Sequence, residues 1–111
     1  MKLKVIHPHI PDPAAPLELA EGDIIWLGPQ DDLSPSWYWC TDKMGHAQWV
    51  PAQVFERNGE KATLIRAYSS RELQTHLADT LEGLEQIDDW WLCESATGQW
   101  GWVPEGGLEK I

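Results

Sequence analysis

The side chains of this sequence that could do chemistry are few and poorly grouped. His7 and His9 flank Pro8, and His46 stands apart. That pattern lacks the paired ligand spacing a bound metal needs, so no metal site is read from it. Asp31-Asp32 and Asp88-Asp89 are paired carboxylates in turn-like surroundings, where solvated loop charge is a more ordinary role than acid–base catalysis. No Ser, Cys or Lys sits in a nucleophile motif and no glycine-rich loop could cradle phosphate, so neither an enzyme nor a cofactor is expected. Cys40 and Cys93 lack the close spacing of a metal knuckle or a redox pair. Tryptophan is the anomaly: eight Trp against two Tyr and one Phe. An indole brings a large flat face and a single donor, which suits packing and binding.

The elements that must position these residues follow from an internal repeat. A shift of 53 positions lays Trp37-Tyr38-Trp39-Cys40 on Trp90-Trp91-Leu92-Cys93, Gly45 on Gly98, Trp49-Val50-Pro51 on Trp102-Val103-Pro104, and Glu56 on Glu109 without a gap. Upstream, Leu17-Glu18-Leu19 and Gly22-Asp23 align with Leu73-Gln74-Thr75 and Ala78-Asp79. Each half reads as short strands broken by turn residues. Strands are expected near Leu3 to His7, Ile24 to Leu27, Trp37 to Thr41, Ala47 to Val50 and Val54 to Arg57. A second set is expected near Thr63 to Tyr68, Thr80 to Glu85, Trp90 to Glu94, Gln99 to Val103 and Leu108 to Ile111. Asp42 to Gly45 and Ser95 to Gly98 are the matching turns, each ending on a glycine that accepts positive φ. Ser70 to Asp79 reads as a loop, although its Glu, Leu, Gln and Ala also suit a short helix. Asn58-Gly59 is a strong hairpin signal lying between the halves. The expected division is 1–57, a short turn at 58–61, and 62–111, with the halves closely packed because each is marginal alone.

Length and charge bound the rest. A chain of 111 residues and net charge −10 has no room for a large enzyme and repels phosphate backbones, which argues against nucleic acid. The start of the chain holds no secretory signal or membrane span, so a cytoplasmic location and no membrane partner are expected.

In order and twice over, these motifs resemble the Src homology 3 family. The likeness rests on Leu17-Glu18-Leu19, Gly22-Asp23-Ile24-Ile25, the Trp37 cluster and Trp49-Val50-Pro51 in the first half. In the second it rests on Asp89-Trp90-Trp91-Leu92-Cys93, Thr97-Gly98-Gln99, Gly101-Trp102-Val103-Pro104 and Leu108-Glu109. The resemblance implies an all-β chain of two small five-stranded barrels in tandem. Val5, Leu17, Leu19, Ile25, Leu27, Cys40, Val50 and Phe55 would fill the first core. Leu64, Leu73, Leu81, Cys93, Val103 and Leu108 would fill the second, with the two Cys as free thiols in separate cores.

The resemblance also implies grooves for proline-rich peptides in the polyproline II form. Carried over position by position, the first half offers His7 and His9 where the family has Tyr, then Trp37 and Pro51, with Asp31 and Asp32 as nearby acids. The second half offers Tyr68, Trp90 and Pro104, with Glu85, Asp88 and Asp89, and is the preferred site. Both grooves depart from the family, with Val54 and Gly107 in place of a last Tyr. The expected function is a non-catalytic interaction module for a protein or for a proline-rich or basic peptide. The rival is an acidic regulatory or inhibitory subunit that docks on a folded protein through Trp26, Trp39 or Trp100. The proline-rich loop Pro8 to Pro16 raises self-association as a further expectation, by filling a neighbouring groove.

Overall fold

The computed structural model describes residues 1–111, and almost all of its regular structure is β. Strands in chain order are β1 (Lys2–Val5), β2 (Glu18–Leu19), β3 (Ile24–Gln30), β4 (Trp37–Thr41), β5 (Ala47–Pro51), β6 (Phe55–Asn58), β7 (Lys61–Leu64), β8 (Tyr68–Ser69), β9 (Thr80–Ile87), β10 (Trp90–Glu94), β11 (Trp100–Pro104) and β12 (Leu108–Lys110). Single 3₁₀ turns at Ala52–Val54 and Glu105–Gly107 follow β5 and β11. Both repeats thus run strand, hairpin, strand, 3₁₀ turn, strand. The two hairpin turns close as expected, with Gly45 at φ +86° and Gly98 at φ +85°. Ser70 to Asp79 is a loop with one isolated bridge.

The chain divides into two compact units that are not the consecutive halves 1–57 and 62–111. Unit 1 is Met1–Ala14 with Arg71–Ile111, and unit 2 is Ala15–Ser70. Unit 1 holds a five-stranded antiparallel sheet in the order β11-β10-β9-β1-β12. Its register sets Leu3 of β1 opposite Leu81 of β9 and Lys110 of β12. Unit 2 holds the sheet β5-β4-β3-β7-β6 and the short ribbon β2-β8. There Asn58-Gly59 does form a hairpin turn, with Gly59 at φ +67°, but it joins β6 to β7 inside unit 2 and does not link two barrels.

The first strand of each repeat has therefore changed places. Three pairs of backbone bonds show that β1 and β7 fill equivalent slots. Val5 N–H donates to Asp79 O at 2.9 Å and Leu64 N–H to Asp23 O at 2.8 Å. Ala78 N–H donates to Val5 O at 2.9 Å and Gly22 N–H to Leu64 O at 2.8 Å. Ile6 N–H donates to Gly107 O at 2.8 Å and Ile65 N–H to Val54 O at 2.9 Å. Both strands begin with Lys and alternate exposed and buried over four residues, so either fits either slot.

Each unit encloses its own core. Leu3, Val5, Leu73, Leu81, Trp91, Cys93 and Val103 pack together in unit 1, with Leu108 against them. In unit 2 the buried apolar residues include Leu17, Leu19, Ile25, Cys40, Val50, Val54, Phe55, Ala62 and Leu64, while Leu27 is half-buried. Val5 and Leu64 are thus buried in the units opposite to those expected for them. Each such side chain contributes roughly 1.5–3 kcal/mol by leaving water. The two thiols lie in different units and are unpaired. Burial pushes the Cys40 thiol up to about 12 and that of Cys93 up to about 11.

Candidate functional site

The strand exchange regroups the residues picked out in the sequence. His7, His9, Glu85, Asp88, Asp89, Trp90 and Pro104 fall in unit 1, whereas Asp31, Asp32, Trp37, Pro51 and Tyr68 fall in unit 2. Tyr68 follows β7 into the ribbon with β2, opposite Leu19, so it does not share a unit with Trp90 and Pro104. His7 and His9 follow β1, so they do not share a unit with Trp37.

In unit 1 the β10–β11 register puts Trp90 directly opposite Pro104. Both are half-buried, leaving ring surface open to solvent. His9 meets the Trp90 ring edge to face, with centroids 5.8 Å apart and planes at 81°. Its backbone is fixed twice: His9 N–H donates to Thr75 Oγ1 at 2.8 Å and Thr75 N–H donates to His9 O at 3.0 Å. Thr75 is buried, so this clip is shielded from water. The imidazole Nε2 is 2.6 Å from Glu72 Oε1, which binds the loop after β1 to the loop before β9. His7 is exposed, and its N–H shares the Gly107 carbonyl with that of Ile6.

Acidic groups flank this shelf. Asp88-Asp89 is a two-residue turn between β9 and β10, with Asp88 at φ +50°, a conformation Asp tolerates better than most residues. Asp89 O accepts the Glu105 N–H at 2.8 Å. Gln86 Nε2 donates to Asp88 O and to Glu105 Oε1, both at 3.0 Å, which ties the turn to the 3₁₀ segment after Pro104. Glu85 is half-buried on β9, and Glu72 stands beside His9. A little further along, Arg71 lies over the Trp100 ring at 4.9 Å.

Glu72, Thr75 and Glu105 escaped the sequence reading. The usable signal for Glu105 was its place just after Pro104. Glu72 and Thr75 matter only because β1 brings His9 to them, and no local pattern announces that.

Unit 2 repeats the frame with a different outcome. Trp37 lies opposite Pro51, but both are buried. The Trp37 indole Nε1 is buried without a hydrogen-bond partner. Asp31 and Asp32 lie in the loop between β3 and β4, where Asp31 Oδ1 accepts the Leu33 N–H at 3.1 Å and so caps its own turn. Tyr68 is buried on β8.

These arrangements gather no group of three or more His, Cys, Asp or Glu that could hold a metal. No helix is long and apolar enough to cross a membrane.

Residues 66–105 match the SH3 domain family. The similar stretch runs from β8 through β11, and so contains Trp90, Pro104 and the acidic turn. It leaves out β1 to β7 and β12, and with them both exchanged strands. No curated protein and no solved structure matches the chain.

Proposed function

We propose that the chain is a non-catalytic protein-interaction module whose unit 1 shelf, built from His9, Trp90 and Pro104, takes an extended proline-rich segment carrying Lys or Arg. Similarity to SH3 domains supports the interaction role. The observation that carries the choice of site is the contrast between the repeats: Trp90 is half-exposed opposite Pro104, whereas Trp37 is buried opposite Pro51. A polyproline II segment offers few free donors, so flat rings hold it by packing. Asp88, Asp89 and Glu105 beside the shelf favour a cationic ligand and speed encounter at low salt. The two unpaired buried thiols accord with a reducing compartment such as the cytoplasm.

Titration calorimetry of the full chain with a proline-rich peptide containing Lys or Arg tests this. Saturable binding is expected, weakened at least tenfold in Trp90→Ala and unchanged in Trp37→Phe. A folded parent chain that binds no such peptide overturns the reading.

A further inference from the structure

The two sheets differ at one edge. In unit 1 the outer side of β11 is covered: Trp102 N–H donates to Arg71 O at 2.9 Å, Leu73 N–H donates to Trp102 O at 3.1 Å, and Glu72 forms a parallel bridge to Trp102. This strap can lie so close only because β11 has Gly101, where a Cβ would stand 2.5 Å from Leu73 N. In unit 2 the equivalent strand is β5, and the residue matching Gly101 is Gln48. A side chain now occupies that place, Pro16 stands where the strap has Glu72, and Leu17 N–H turns instead to Ser70 Oγ at 2.8 Å. No bridge forms at Trp49, so β5 ends the sheet.

The face beside that edge is aromatic. Trp39 and Trp49 are direct cross-strand neighbours with centroids 5.2 Å apart, and Trp26 lies one strand further in, opposite Thr41. They are 37%, 36% and 41% exposed. Strands β3, β4 and β5 contain no charged residue, in a chain whose net charge is −10. Lys61 sits 6.0 Å over the Trp26 ring. Natural sheets protect an edge with charge, proline or a bulge. Here only Pro51, at the very end of β5, does so.

We infer that β5 is a self-association edge, pairing antiparallel with β5 of a second copy about a two-fold axis at Trp49. The matching residue Trp102 points its N–H and C=O outward to the strap, and the same register in β4–β5 points those of Trp49 outward to solvent. The Trp49 N–H of each copy then donates to the Trp49 carbonyl of the other, and Ala47 N–H to the Pro51 carbonyl. Pro51 has no N–H to return, so the Ala47 carbonyl of each copy stays without a ladder bond, which weakens the pairing at its two ends. Trp39 and Trp49 of both copies form one continuous row. A second copy is the fitting occupant because this is the surface where two chains of charge −10 can meet without opposing carboxylates. Three indoles showing roughly 100 Å² each fall short of the ~800 Å² per partner of a standard interface, so the dimer is weak and concentration-dependent.

Sedimentation equilibrium from about 5 µM to 1 mM reads this directly. The average mass of the parent chain is expected to rise from 12.6 kDa toward twice that value, more readily at higher salt as repulsion is screened. Trp49→Lys and Trp49→Glu are each expected to stay monomeric while keeping the parent's circular dichroism, and an equimolar mixture of the two to associate again, because residue 49 faces its own copy across the axis. Ala47→Lys, which removes no indole, is expected to be monomeric as well and serves if Trp49 variants do not fold. A parent chain that stays at 12.6 kDa throughout, a lysine variant that still associates, or a mixture no heavier than its components overturns the inference.

Discussion

At φ +71°, Ala78 holds a backbone conformation that a Cβ resists, and the same turn in unit 2 has Gly22 at φ +88°. The two turns are otherwise alike. Ala20 N–H donates to Asp23 Oδ2 and His76 N–H to Asp79 Oδ2, each at 2.9 Å, and the return bonds from Asp23 and Asp79 are both 3.1 Å. Ala78→Gly is therefore expected to stabilise the chain by about 1 kcal/mol, and Gly22→Ala to destabilise it by a similar amount, read as opposite shifts of the urea midpoint. The thiols give a second residue-scale expectation. Both are raised by burial, Cys40 to about 12 and Cys93 to about 11, so the folded chain keeps protons that the unfolded chain releases from about pH 9 upward. The stability they contribute is complete below about pH 9 and falls as pH rises toward 11, by about 1 kcal/mol per unit for each thiol. Urea midpoints at pH 8, 9 and 10 for the parent and Cys40→Ala should show a shallower decline in the variant.

At the scale of elements, most of the strand pattern was legible because alternation and turn chemistry are local. Trp37–Thr41 and Trp90–Glu94 fall where the sequence places them, and so do both glycine-ended hairpin turns. The expected Thr63 to Tyr68 strand splits into β7 and β8, since Ile65, Arg66 and Ala67 leave the ladder. The exchange of β1 and β7 was not legible. Lys2–Val5 and Lys61–Leu64 present the same length and the same buried alternation, so neither slot rejects either strand, and the choice is made by long-range pairing. That choice also hid which candidate residues meet, since it brings His9 to Trp90 and puts Tyr68 in the other unit. The strap over β11 is equally a contact between distant segments, resting on one small residue. Gly101→Ala is expected to cost about 1–3 kcal/mol, because the added methyl would meet the Glu72 and Leu73 backbone, and to expose the Leu73 amide in hydrogen exchange.

For the whole molecule, the boundary that matters runs through the repeats and not between them. All strands of unit 2 lie within Ala15–Ser70, so that segment alone is expected to give a dispersed amide NMR spectrum. Fragments 1–57 and 62–111 each lack a strand that two neighbours pair with, β7 in one case and β1 in the other, and each alone is expected to show the narrow dispersion of an unfolded chain. Well-dispersed spectra from those two fragments would contradict the exchange. The exchange also fixes an order of events during synthesis. Leu3 and Val5 leave the ribosome well before β9 and β12, the strands that pair with β1. Unit 2 can close as soon as Ser70 is clear, while β1 waits with its apolar side chains in water until β9 and β12 arrive. During that wait the nascent chain carries one finished barrel-like unit and one sticky strand, and the interval is the time in which a chaperone would find something to hold.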